Sequence, residues 1–187
     1  MVALTALLLP IVVSAVFVFI ASSVVHMATP WHKDDFPPLP SQDKLMDAVR
    51  PFGLAAGDYM VPRPNDMKDM KTPEFQAKFN KGPVFVMTVM PTGPMNMGKS
   101  LGTWFLYSAV VSLFAGYVAS AALKPGTDYL HVFQIVGTVA FVGYSMALWQ
   151  MTIWYHRSVR MTVKSTIDGL LYGLLTAGTF GWLWPKM

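Results

Sequence analysis

The sequence has no cysteine. That excludes a disulfide framework and any thiolate metal site. Charge is scarce as well: charged residues are 13% of the chain, about half the usual share for a globular protein. What charge there is falls unevenly, with none between Met1 and Trp31. Gly-rich phosphate loops, a nucleophile elbow and the HExxH zinc signature are all missing, and the Ser, His and acidic residues stand in no triad-like context. Basic residues cluster on no helix face, so the net charge of +4 is no nucleic-acid signal.

The charge-poor parts are four long apolar runs. They lie at about 3–26, 101–123, 130–155 and 163–184, and each exceeds the roughly 20 residues needed to cross the hydrocarbon core of a bilayer. The reading is therefore an all-α integral membrane protein with four transmembrane helices. It divides into 1–29 (helix 1), 30–99 (an extramembrane segment) and 100–187 (a three-helix transmembrane bundle). Pro10 sits early in the first run, where it starts or kinks a helix. That run lacks a basic n-region and a convincing cleavage site, so it reads as an uncleaved anchor.

Orientation follows from Lys and Arg. The loop HRSVRMTVK holds Arg157, Arg160 and Lys164 and no acid, whereas KPGTD holds only Lys124. The first loop is expected in the cytoplasm and the second outside. Four spans then place residues 30–99 in the cytoplasm and both termini outside. Trp31, Trp104, Tyr107, Trp149, Trp154, Tyr155, Trp182 and Trp184 fall where interfacial anchors belong.

The roughly 70 residues from 30 to 99 carry nine Lys/Arg and eight Asp/Glu and are rich in proline. Two short helices are predicted, SQDKLMDAV with Ser41 as N-cap and TPEFQAKFNKG with Thr72 as N-cap. PVFVMTVMP reads as one extended stretch. The rest is expected to be irregular. So little structure cannot build a sound core, so the segment must lie on the membrane, dock on other protein or stay unfolded.

MTVMPTGPMNMG, residues 87–98, packs four methionines into twelve residues. Thioethers suit Cu(I), and Met95 and Met97 have a chelating spacing. Without cysteine or a neighbouring histidine, an adaptable contact surface made by Met87, Met90, Met95 and Met97 is the better reading.

Small residues recur every fourth position: Ser108, Ser112, Gly116 and Ser120 in the second span, and Ser165, Gly169, Gly173, Ala177 and Gly181 in the fourth. The third has Gly137, Ala140, Gly143 and Ala147. Such stripes let helices approach closely in lipid. Asp168 is the one acid within a span, and a local pair with Lys164, one turn away, is expected for it. Of the four histidines, His26 and His156 alone fall at one depth on different spans, as a bis-His haem would need. With no further ligands in the sequence, both read as interfacial polar residues.

The stretches GPMNMGKSLGTWF, WQMTIWYHR and DGLLYGLLTAGTFGWLWP resemble small, uncharacterised bacterial four-span membrane proteins. By the same similarity the chain resembles accessory subunits of energy-transducing complexes. The resemblance implies a non-catalytic, stabilising subunit of a photosynthetic reaction centre–light-harvesting assembly, with a respiratory complex as the alternative. It implies other membrane subunits and lipids as partners, no catalytic, cofactor or metal residues, and only peripheral contact with pigments or lipids. A cofactor-binding or transport protein using His26, His156 and Asp168 is the contrasting hypothesis.

Overall fold

The computed structural model describes residues 1–186. Its helices are α1 (Leu8–Ser23), α2 (Gln42–Val49), α3 (Pro73–Lys81), α4 (Met97–Ala122), α5 (Tyr129–Phe141), α6 (Leu148–Tyr155) and α7 (Val159–Trp182). Two strands are present, β1 (Gly57–Val61) and β2 (Phe85–Val89). The chain forms two compact units, Met1–Phe36 with Asn96–Met187, and Pro37–Met95.

The first unit is a helical bundle. Three of its helical stretches are long and apolar enough to cross a membrane: Leu4–Ala28, Met97–Ala122 and Tyr129–Tyr155. The predicted fourth span falls in α7. That helix has 24 residues but carries Arg160, Lys164 and Asp168 near its start, and it does not reach the apolarity of the other three.

Local sequence sets the helix ends. Pro10 lies in the first turn of α1, after a 3-10 turn at Leu4–Leu7, where its missing N–H removes no helical hydrogen bond. The Asn96 side chain accepts from the Lys99 N–H to start α4. Asp128 accepts from the N–H groups of Leu130 and His131 to start α5.

Two π-helical turns interrupt the bundle. Val24–Ala28 extends α1, and Val142–Met146 separates α5 from α6. The predicted span at 130–155 is present as the continuous helical stretch Tyr129–Tyr155, with the second π turn inside it. An inserted π turn widens the helix and turns side chains to new faces, and such turns gather at functional sites.

α7 packs chiefly along α5, with α1 on another side. A Cβ at Gly173 would come within 3.2 Å of the Phe141 Cβ and backbone N. One at Gly137 would lie 3.0 Å from the Ala177 Cβ, and one at Gly181 would lie 2.7 Å from the Tyr129 ring. At Gly169 a Cβ would overlap the Ser145 hydroxyl. On α4, Ser108, Ser112, Gly116 and Ser120 are all buried. Gly116 faces the ring of Phe180, and Ser14 of α1 donates to Ser112 at 3.0 Å. The core between these contacts holds Leu7, Val18, Val132, Val136 and Phe180, all fully buried. At the end of the bundle where the chain starts and stops, Val2 N–H donates to the Ser120 carbonyl, and Gly126 N–H to that of Pro185.

The second unit contains α2, α3 and an antiparallel β1–β2 ladder in which Tyr59 faces Met87 and Asp58 faces Thr88. Thr88 donates to the Asp58 carboxylate at 2.6 Å. Thr72 caps α3 by accepting from the Phe75 N–H, and Gly82, with φ 57°, ends it. Ser41 precedes α2 without a side-chain cap bond. The extended PVFVMTVMP thus supplies one strand of a two-stranded antiparallel ladder whose other strand, GDYMV, the sequence reading does not anticipate. Among residues 37–95, all of them described, none is buried.

Candidate functional site

Beyond the π turn at Val24–Ala28, residues Pro30–Phe36 form a strap that groups with the helical bundle. The strap brings Trp31, His32 and Asp35 onto α7. Lys164 Nζ donates to the Asp35 carboxylate at 2.6 Å and to the Trp31 carbonyl at 2.5 Å, and it lies 5.4 Å from the centre of the Trp31 ring. Asp168 accepts from Trp31 Nε1 at 3.1 Å and faces His32 Nε2 at 2.8 Å. His32 Nδ1 faces Asp35 at 2.6 Å. The expected pairing of Asp168 with Lys164 is not made, because the strap offers each a nearer partner.

Each ring nitrogen of His32 faces a carboxylate oxygen, Nδ1 that of Asp35 and Nε2 that of Asp168. The carboxylates and the ammonium are all less than a tenth exposed, and buried charges persist when they are paired and hydrogen-bonded in this way. Lys164 foremost, and His32 after it, hold the Asp35 carboxyl below the usual carboxylate range.

His26 stacks on His32, with ring centres 4.2 Å apart and planes within 10°. Its Nδ1 lies 2.9 Å from the Ser22 carbonyl, which only accepts, so Nδ1 carries the proton and a neutral His26 keeps a lone pair on Nε2. His26, His32 and Asp168 each bring a ligand atom within 4.8 Å of the others. A metal would need the imidazole lone pairs to converge, and rings in nearly parallel planes do not aim at one point. Both nitrogens of His32 are moreover taken by carboxylates. The cluster is an ion-pair network as it stands. His156, the other half of the expected histidine pair, caps the end of α6 with φ 52° and is exposed.

A cavity of about 330 Å3 opens beside this network. Asp168 and His26 form one wall. Trp104, Tyr107, Tyr144 and Tyr172 line much of the rest as one packed aromatic cluster, with successive ring centres 5.5–6.2 Å apart. Trp104 Nε1 donates to Ser22 at 2.7 Å, and the Tyr107 hydroxyl donates to the Gly143 carbonyl at 2.8 Å. The hydroxyls of Tyr144 and Tyr172 are buried and have no partner. The Ser108 hydroxyl, beside Tyr144, donates to the Trp104 carbonyl. Such orphans are uncommon, because a buried unpaired polar group costs about 1–3 kcal/mol. Each π turn supplies one wall residue, His26 from the first and Tyr144 from the second.

Sequence reading picks out His26 and Asp168 singly and misses what joins them. His32 and Asp35 lie outside any span, and the tyrosines carry no spacing signal. Met90 and Met95, in the other unit, are 72% and 80% exposed, and Met97, at the start of α4, is 56% exposed. Met87 is half-buried in β2. No protein-family model, curated protein or solved structure matches the chain.

Proposed function

We propose that the chain is a non-catalytic, four-span membrane subunit that stabilises a larger bacterial energy-transducing complex. The carrying observation is the state of residues 37–95. They fold into two helices and a two-stranded ladder without burying one residue, and they leave Phe52, Met67, Met90 and Met95 exposed. A unit with no core of its own is stabilised when other protein covers it, and methionine suits that cover.

The fourth span is α7. At 1.5 Å per residue its 24 residues are about 36 Å long, enough to cross the hydrocarbon. Its low apolarity comes partly from Lys164 and Asp168, whose side chains the strap engages in hydrogen bonds. In this reading residues 37–95 are cytoplasmic and the termini outside, on the distribution of Lys and Arg. The photosynthetic reaction centre–antenna assembly is the complex proposed, on the resemblance described above, and a respiratory complex is the alternative.

The test is purification of a tagged chain from its native membranes in mild detergent. The expected result is co-migration with a fixed set of membrane subunits, with bacteriochlorophyll absorbance for the photosynthetic assembly and haem absorbance alone for a respiratory one. Migration as a free monomer would overturn the proposal.

A further inference from the structure

We infer that the groove between the strap and the start of α7 binds an aminophospholipid, whose headgroup carries one phosphate and one primary ammonium. The inference rests on the bundle lying in a membrane, where such a lipid is an occupant already at hand.

The groove has a volume of about 640 Å3, with Val25 and the strap on one side and α7 on the other. It grades from polar to apolar along α7. Arg160 stands in the first turn of that helix. At 1.5 Å per residue, Ile167 and Leu171 follow about 10 and 16 Å further on. These two side chains are 48% and 38% exposed, so a hydrocarbon chain laid along them covers apolar surface that the bundle leaves open. Trp31 lines the polar end, and its ring is of the kind that sits at headgroup level. A groove polar at one end and apolar at the other takes an amphiphile.

The charges select the headgroup. Asp34, Arg160, Lys164 and Asp168 line the groove, and the strap engages the last two. Asp34 and Arg160 are exposed, and among the described residues neither takes part in an ion pair, with each other or with any other group. One guanidinium and one carboxylate are therefore free in one groove. A guanidinium holds phosphate oxygens through its fork of N–H donors, and a carboxylate accepts from a primary ammonium. Phosphoethanolamine carries both groups. The headgroup of phosphatidylglycerol has the phosphate alone and sets it against the like charge of Asp34. Choline has no N–H, so it gives Asp34 no hydrogen bond.

The test titrates the full-length protein in detergent micelles with phosphatidylethanolamine, phosphatidylglycerol and phosphatidylcholine separately, and reads bound lipid by native mass spectrometry. Phosphatidylethanolamine should bind about tenfold more tightly than either of the others, as one charge-assisted hydrogen bond provides. Arg160→Gln should weaken its binding about tenfold. Asp34→Asn should abolish the preference over phosphatidylglycerol and leave the phosphate contact. Both side chains are exposed, so both variants should melt as wild type does, and a merely structural role would not reorder the lipids. Equal affinity of the wild type for the three lipids, a preference for phosphatidylglycerol, or unaltered selectivity in Asp34→Asn would overturn the proposal while leaving the membrane reading intact. A chain recovered in the soluble fraction of its cells without detergent would overturn both.

Discussion

Lys164 reaches past Asp168, one turn along its own helix, to bond with Asp35 at 2.6 Å across 129 residues of sequence. An exposed pair one turn apart contributes only about 0.3–0.5 kcal/mol. A buried, hydrogen-bonded pair behaves otherwise, because removal of one partner strands the other away from water. Asp35→Ala should therefore destabilise the bundle by about 3–5 kcal/mol. The double variant Asp35→Ala/Lys164→Ala should recover part of that loss. Thermal melts of the single and double variants in detergent measure the coupling, and strictly additive losses would show that the pair has no energetic coupling.

Acid should loosen the same contact. The Asp35 carboxyl is held below the ordinary carboxylate range by Lys164 and His32. A group whose folded pKa is depressed contributes stability that is present above the unfolded value, about 3.9 for Asp, and lost as pH falls through the folded value. Melting temperature should fall below about pH 4, and Asp35→Asn should flatten that part of the profile. An unchanged acid limb in the variant would assign the effect to other carboxylates.

Packing of α7 on α5 gives a steric prediction. Gly173 has the backbone of Phe141 and the carbonyl of Gly137 within 3.3 Å of where a Cβ would sit. Gly173→Leu forces those helices apart and should cost about 1–3 kcal/mol, as overpacking does. Gly173→Ala should be milder, since a few tenths of an ångström relieve it. A Leu variant that melts like wild type would contradict this packing.

The orientation is open to labelling. The chain has no native cysteine, so Ser41→Cys, on an exposed position, provides a single thiol. With residues 37–95 in the cytoplasm, a membrane-impermeant maleimide should label it only after the cells are opened. Labelling in intact cells would invert the topology.

The Met surface predicts a partner defect without a folding defect. Met90→Ala/Met95→Ala truncates two side chains that are already exposed, so the isolated chain should be unchanged. At about 25 cal/mol per Å2 of apolar surface, covering both in a complex contributes a few kcal/mol. The double variant should insert normally and co-purify poorly with its neighbours. Undiminished co-purification would exclude these side chains from the interface.

Three of the bundle's helical stretches were legible because length and apolarity suffice to specify them. Ser108, Ser112, Gly116 and Ser120 lie buried along α4, and Gly169, Gly173 and Gly181 lie against other helices. The site was not legible. His26 meets His32 only because a π turn and a strap reverse the chain between them, and neither has a sequence signature. β1 escaped notice because GDYMV opens on two residues depleted in strands, and its pairing with β2 supplies what propensity does not.

The strap also sets an order of events. His32 and Asp35 leave the ribosome with α1, whereas Lys164 and Asp168 follow some 130 residues later. At roughly 5–20 residues per second that interval is on the order of ten seconds. Throughout it the carboxylate of Asp35 has no cation on a neighbouring helix and must stay hydrated. When α7 folds against the bundle, it meets Asp35 and His32 already in place, so arrival of the last helix completes a latch begun by the first. A chain cut short before Lys164 leaves both strap residues without their partners on α7.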